Sequence, residues 1–479
     1  MFMARLVTKV QKQNRVKIAL AAVRRYRWLE LSLFLLPFAI LLLEMSQLLI
    51  IANTKITDSQ LNIHNLPIGD GLIPIIGLIA VFLSAHVLLN IFFRKADQVL
   101  LPLVGLLSGL GVLMMTRLGP SLNIPTMGSR QLLWAILGLA ICLVTAAVVR
   151  QTSWLARYKY SWALFCTLMV LPSVIKGILT FHSVNSTPTR DLLELGGIRF
   201  QPSELLKVAV VIFFAAYLTE NRDVLTQGYF RLGRLRLPPL RQLGPLVLML
   251  ALALMLFLIV RELGLALLIY TLFLCMTYLT NGKISYVLVN LGIFAALAFI
   301  GYKLLGYVQG RFAVVGIDVV NWNASSDYAY HNLLGAGQII QGLIALASGG
   351  LFGAGFGLGH SGYVSVIDSD MVLTAYGEEF GLMGLFAILG LYLLLVYRGF
   401  RIAIDAPDMF DKLLAAGLSC IFALQTLIIA AGNLKLTPLT GIPLPFLSNG
   451  GSALLGNFII VGLLLRISHN TAVQREGKY

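Results

Sequence analysis

Twelve apolar runs divide this chain, each of about the twenty residues that a helix needs to cross a bilayer. They fall at about 28–52, 70–93, 98–116, 131–149, 159–181, 203–219, 242–260, 263–281, 285–305, 371–397, 411–432 and 447–466. With 58% hydrophobic and 12% charged residues, the chain lies far from the roughly 45–50% apolar and about 25% charged residues of soluble domains. The expected fold class is therefore all-α, a polytopic membrane protein of about twelve transmembrane helices without a separate soluble domain.

A net charge of +15 could point to nucleic acid, but its distribution points to a membrane. Of the 36 Lys and Arg, 25 fall in the N-terminal tail, in alternate loops and at the C-terminus, all on one side of the spans. The positive-inside rule puts that side, with both termini, in the cytoplasm. The basic tail of residues 1–27 then faces anionic lipid. The apolar stretch after it is too long for a signal peptide and lacks a small-residue cleavage site, so it is read as a retained first span. Cys142, Cys166, Cys275 and Cys420 all fall inside spans, with no metal-ligand spacing, and are packing residues.

On this topology residues 305–370 form a large external loop, long enough to carry structure of its own. Within it Asn332 to Leu346 reads as a short amphipathic helix, with Gln338 and Gln341 one turn apart. The stretch Ser348 to Gly362 then holds seven glycines, and Asp368, Asp370, Glu378 and Glu379 follow at the re-entry into the apolar phase. Acids at a membrane boundary are costly to keep and mark functional sites. The GAGFGLG sequence lacks the strand–turn–helix context of a dinucleotide loop, so the glycines are expected to shape a cavity wall.

Two further polar motifs border the same side. In RFQPSELLK, residues 199–207, Pro202 suits a first helical turn and places Glu204 and Lys207 as an i, i+3 pair. The pair either orders the bundle or meets substrate directly. Arg190 with Asp191, and Arg261 with Glu262, add charge at the outer boundary, and clustered guanidinium groups suit a pyrophosphate. The segment LTPLTGIPLPFLSNGGS, 436–452, cannot be regular helix. Irregular backbone at membrane depth must be buried or line a wet cavity, which makes Ser448 a candidate lining residue. The six histidines show neither metal spacing nor a nucleophilic triad, and no P-loop is present.

Taken in order, RFQPSELLK, Gln338 with Gln341, SGGLFGAGFGLG (348–359), DSDMVLTAYGEEFGLMG (368–384) and LTGIPLPFLSNGGS (439–452) resemble the SEDS family, which comprises RodA, FtsW and the sporulation homologues. The resemblance covers about residues 98–470. It implies a ten-helix core, with the two spans of 28–97 as an N-terminal addition and 471–479 as a cytoplasmic tail. The implied activity is a peptidoglycan glycosyltransferase, polymerising lipid II into glycan strands at the outer face of the bacterial cytoplasmic membrane in cell elongation or division. A class B penicillin-binding protein is the implied partner. The family pattern assigns Asp370 as the essential acid, with Glu378 and Glu379 completing the motif and Arg199, Glu204 and Lys207 lining the cavity. Two departures stand out. Asp368 replaces a common His, so like-charge repulsion is expected to raise the pKa of one of the two acids, and Arg190 is followed by Asp191-Leu192 where many members carry Arg-Trp.

Because lipid II is α-linked and the glycan β-linked, one inverting displacement suffices, with Asp370 as general base for the acceptor 4-hydroxyl. The leaving pyrophosphate needs compensation by Lys207, Arg199 or Arg190, or by a divalent cation such as Mg or Mn; no motif requires another cofactor or a metal site. A lipid II flippase is the alternative, and an inactive scaffold a third reading. Crowding of polar residues on one side favours the enzyme.

Overall fold

In the computed structural model, which describes residues 26–56, 68–179, 193–195, 198–222, 230–232, 235–237, 262–320 and 336–476, the apolar runs are helices. Ten helices among the described residues are long and apolar enough to cross a membrane. In chain order the helices are α1 (Trp28–Ile56), α2 (Ile68–Phe92), α3 (Leu100–Ser121), α4 (Met127–Val148), the short α5 (Ser153–Arg157), α6 (Lys159–Leu179), α7 (Pro202–Glu220), α8 (Leu263–Asn281) and α9 (Ile284–Leu304). They continue with α10 (Gly306–Val315), α11 (Ala336–Gly349), α12 (Val372–Asp405), α13 (Met409–Asn433) and α14 (Gly451–Glu476). The expected span 159–181 is α6, and 242–260 lies outside the described residues. Two small antiparallel hairpins, β1–β2 (Leu193–Leu195, Ile198–Phe200) and β3–β4 (Phe230–Leu232, Leu235–Leu237), sit in connections and leave the all-α class intact.

The region before α12 has the internal structure its length implied, in α10 and α11. Helix α11 lies slightly later than the expected 332–346, and residues 332–335 are outside the described set. The apolar run 447–466 begins as a turn rather than a helix: Leu447 N and Ser448 N both return to Leu444 O, and regular helix starts only at Gly451.

Without a hydrophobic drive inside lipid, helices associate where small residues let them approach closely. Helix α1 lies on α3, and a Cβ on Gly109 would come within 2.3 Å of Leu41 Cδ1. Helix α14 lies on α4 in the same way, with Gly138 facing the Phe458 ring. Helix α13 is wrapped by α7, α8 and α12. A buried polar knot also ties α1 to α2 and the turn after it. Arg27 pairs with Glu30 and donates to the Phe93 and Ala96 carbonyls at 3.0 and 2.8 Å, and His86 Nδ1 lies 3.0 Å from Glu30 Oε1.

The start of α1 and the end of α14 meet the α2–α3 turn at one end of this bundle. Asp97 N donates to Ser468 Oγ at 3.0 Å, and Lys95 pairs with Glu476. The start of α12, the glycine-rich segment, α11 and the 434–450 turn gather at the opposite end.

Candidate active site

Asp370 ends a tight turn ahead of α12. Val366 adopts a left-handed φ of 56°, and its carbonyl accepts from both Ser369 N and Met371 N at 3.3 Å. Prolines keep the 434–450 segment from forming helix, which frees polar groups to hold this turn. Asn433 Nδ2 donates to Asp370 O at 2.8 Å, and Ser448 Oγ donates to Ser369 O at 2.7 Å. Asn449 donates from its backbone N to Asp368 O at 2.7 Å and from Nδ2 to Asp368 Oδ2 at 2.9 Å. Gln131 on α4 in turn donates to Ser448 O at 3.1 Å.

The backbone of 368–370 is thus pinned from several sides, while the Asp370 carboxylate has no ion pair within 4 Å among the described residues. Its Oδ2 points at Gly441, 3.7 Å from where a Cβ would stand. Burial pushes its pKa up to about 6; the Arg311 charge and a hydrogen bond from Ser369 oppose this, and Asp368 adds a smaller upward push. The expected repulsion from Asp368, whose carboxylate accepts from Asn449, is present, but burial is the larger cause. Arg311 on α10 is held by Leu439 O at 2.9 Å, and Lys435 donates to Ile317 O, so two cations flank this end.

Helix α11 crosses the first turn of α12, where a Cβ on Gly342 would collide with Met371 Cε. Gln338 lies one turn earlier on that face, and its Nε2 has no hydrogen-bond partner among the described residues. Gln341 is half-buried beside it.

Glu378 and Glu379 have a different setting. Helix α12 is broken at Gly381 (φ 68°, ψ −170°), so the carbonyls of Glu378 and Glu379 lose the amides that would follow four residues on. The glycine-rich segment replaces them: Ala354 N donates to Glu378 O at 2.9 Å and Gly355 N to Glu379 O at 3.0 Å. In return Leu382 N and Met383 N donate to Gly350 O and Leu351 O at 3.0 and 3.1 Å. Gly353 is required at this seam, since its φ is +88° and a Cβ would lie 2.2 Å from Glu379 O. The side chains also engage the segment. Glu378 Oε1 accepts from His360 N at 2.8 Å, Glu379 Oε2 accepts from Gly357 N, and Glu379 Oε1 lies 3.2 Å from Arg117 Nε. Arg117 Nη2 closes the ring by donating to Gly359 O at 2.6 Å.

Lys207 belongs to neither group. Its Nζ lies 2.5 Å from Glu204 Oε2 and within 3.3 and 3.4 Å of Gln425 Oε1 and Asn457 Oδ1, all buried. Gln425 is eight residues before Asn433 on α13, so this cluster lies about 12 Å along the helix from the Asp370 turn. Arg199 is placed in β2 opposite Glu194; Arg190 and Arg261 lie outside the described residues. No three His, Cys, Asp or Glu side chains among the described residues form a metal-binding group.

Asn433, Asn449, Gln131, Arg311, Lys435 and Arg117 did not emerge from the sequence motifs as site residues. Arg117, Gln131 and Asn433 carried a usable signal, as polar residues beside or inside apolar runs, and Asn449 stands next to Ser448 inside the run 447–466.

A family model described as "cell cycle protein" (FtsW/RodA/SpoVE) matches residues 97–473. The peptidoglycan glycosyltransferase RodA of Mycobacterium tuberculosis strain H37Rv is 35% identical over 406 residues, covering 82% of each chain. The probable peptidoglycan glycosyltransferase FtsW of Geobacter sp. strain M18 is 33% identical over 281 residues, 58% of this chain and 70% of the relative. Among solved structures, a chain of a peptidoglycan synthase complex superposes with a TM-score of 0.58 at 22% identity, covering 78% of this chain and 98% of that one. The rod shape determining protein RodA of Thermus thermophilus superposes with a TM-score of 0.52 at 22% identity, covering 78% and 97%. These structural likenesses bear on the fold. The family match begins only after α2.

Proposed function

This chain belongs to the FtsW/RodA/SpoVE family and is a multi-pass membrane peptidoglycan glycosyltransferase, and on that premise we propose that it polymerises lipid II with Asp370 as general base. One observation carries the assignment: a carboxylate without an ion pair among the described residues, on a backbone held by Asn433, Ser448 and Asn449. A base must be fixed in position yet free to take a proton, and a pKa near 6 leaves it ionised at neutral pH while retaining proton affinity.

In the proposed step an Asp370 oxygen takes the proton of the acceptor sugar's 4-hydroxyl as that oxygen bonds to the donor's anomeric carbon. The bond from that carbon to the lipid pyrophosphate breaks with inversion, and the pyrophosphate leaves with the electron pair. Arg311 and Lys435 are the cations placed to meet this charge. Lys207, engaged by Glu204, Gln425 and Asn457, instead acts by fixing α7, α13 and α14. Gln338, with an unspent Nε2, supplies a donor toward sugar or phosphate. Among the described residues no three His, Cys, Asp or Glu side chains converge on a cation site, and the compensating charge is assigned to Arg311 and Lys435.

The basic loops, with the start of α1 and the end of α14 at the end of the bundle away from Asp370, support an orientation with the Asp370 end outside the cytoplasmic membrane, where the lipid linkage itself drives the reaction. A class B penicillin-binding protein is the proposed partner. The test is lipid II polymerisation by purified wild type and Asp370→Ala, each with and without that partner. Glycan product from wild type alone among the two supports the reading; near-equal product from both overturns the base, and lipid II translocation without product overturns the polymerase.

A further inference from the structure

At the end of the bundle away from Asp370, a crevice of about 480 Å³ opens between α2, α4 and α14. That volume falls within the roughly 300–1,000 Å³ of ligand sites. Its walls are Leu88 and Phe92 of α2 and Val144 and Ala147 of α4, and its polar end carries Arg150 and Arg466. Phe92 and Val144 are 65% and 58% exposed, so the slot opens sideways toward lipid.

Arg466 is held in position, and neither arginine is compensated by an acid among the described residues. Arg466 donates from Nη2 to Arg150 O at 2.7 Å and lies 5.5 Å from the Phe93 ring centre, which holds its guanidinium at the rim. Neither forms an ion pair among the described residues. Of the acids at this end, Asp97 pairs with Arg398, Glu476 with Lys95, and Asp405 with Arg401 and Arg475, while Asp411 accepts a hydrogen bond from Thr152. Two cations at the mouth of an apolar slot match a phosphate attached to an acyl chain. Both arginines also lie on the side that the charge distribution assigns to the cytoplasm.

We propose that this seam binds one anionic phospholipid, its phosphate on Arg150 and Arg466 and one acyl chain along Leu88, Phe92, Val144 and Ala147. Because α2 precedes the family match while α4 and α14 lie inside it, the lipid fastens the N-terminal helix pair to the glycosyltransferase core. The site is independent of the assignment of Asp370.

The test uses the full chain, delipidated in detergent, with native mass spectrometry for retained lipid and thermal unfolding for stabilisation. The probes are phosphatidylglycerol, phosphatidylcholine with the same acyl chains, and glycerol 3-phosphate. Phosphatidylglycerol should be retained at about tenfold lower concentration than phosphatidylcholine and should raise the unfolding temperature, while glycerol 3-phosphate does neither. Arg150→Gln, which leaves the carbonyl held by Arg466 in place, should reduce that preference and the double variant with Arg466→Gln should remove it. Ala147→Trp keeps both charges, fills the slot, and should also abolish retention. Equal retention of the two lipids by wild type, glycerol 3-phosphate matching phosphatidylglycerol, or an undiminished preference in the double variant or in Ala147→Trp would each overturn the proposal.

Discussion

Asp370 and the Glu378–Glu379 pair stand within ten residues of one another, yet they are built in opposite ways. At Asp370 the bonds from Asn433 and Ser448 go to the backbone of the turn, and the carboxylate, which takes a hydrogen bond from Ser369, faces Gly441. At Glu378 and Glu379 the carboxylates themselves are occupied, by His360 N, Gly357 N and Arg117. The contrast underlies the proposed division between a group held ready to exchange a proton and groups that hold a loop. A carboxylate already held by protein donors has little room to receive a substrate hydroxyl, whereas Asp370, raised to about 6 by burial, is suited to the task.

The largest effect should come from Asp370→Asn. Polymerisation is expected to fall by about 10²–10⁴-fold with the unfolding temperature unchanged or raised. The stability sign follows from the raised pKa: the stability that the protonated acid lends below its ordinary value of 3.8 is lost as pH climbs through about 6, so at neutral pH a neutral amide does no harm. Wild-type turnover should rise through about pH 6 and level off above it. A rate indifferent to pH between 5 and 7, or a strongly destabilised Asn variant, would place Asp370 with the structural carboxylates.

Next in size is the Lys207 cluster, the clearest case of a structural charge. Lys207→Met strands a buried Glu204 and should cost about 3–5 kcal/mol, read by thermal unfolding, with activity falling alongside. Adding Glu204→Gln should restore most of the stability. If stability returns but turnover does not, Lys207 meets substrate and belongs on the Asp370 side of the comparison.

Glu379→Gln should act more gently, because the amide oxygen still accepts from Gly357 N while the charge opposite Arg117 is lost. Stability is expected to fall by about 1–3 kcal/mol and polymerisation by no more than about tenfold. Arg117→Ala, which also removes the donor to Gly359 O, should be the worse of the two. Loss of turnover in Glu379→Gln on the scale of Asp370→Asn, at normal stability, would erase the distinction between the two sites.

How far these arrangements were legible depends on how local they are. The helical spans are written in runs of one composition, and the Glu204–Lys207 pair in an i, i+3 spacing, so both could be read directly. The break in α12 was hidden because Gly381 lies inside the apolar run 371–397, and one glycine there looks like any other until its φ is seen. Arg117 and Glu379 are 262 positions apart, and nothing in either neighbourhood announces the other. Asp370 itself was reached through motif order and family resemblance. What makes it distinctive, a backbone pinned by Asn433 and Ser448 from the far side of α13, is tertiary. Burial, rather than the adjacent Asp368, as the main cause of its raised pKa could not be weighed without that packing.

The smallest expected effect lies where the N-terminal helix pair touches the loop. On α1, outside the family match, Gln47 Nε2 donates to Phe356 O at 3.2 Å, and Leu48 and Ile51 stand 3.2 and 3.3 Å from the Cβ position of Gly357. Gly357 also provides the amide bound by Glu379, so α1 buttresses the same segment from its lipid side. Gln47→Ala removes one half-buried neutral hydrogen bond, worth about 0.5–1.5 kcal/mol, and leaves the glutamate staples in place. Unfolding temperature should barely move, and polymerisation should drop by no more than about tenfold. A loss as large as that of Arg117→Ala would mean that the glycine-rich segment is held chiefly from α1, and that the glutamates, released from that duty, stand closer in role to Asp370 than their contacts with His360, Gly357 and Arg117 imply.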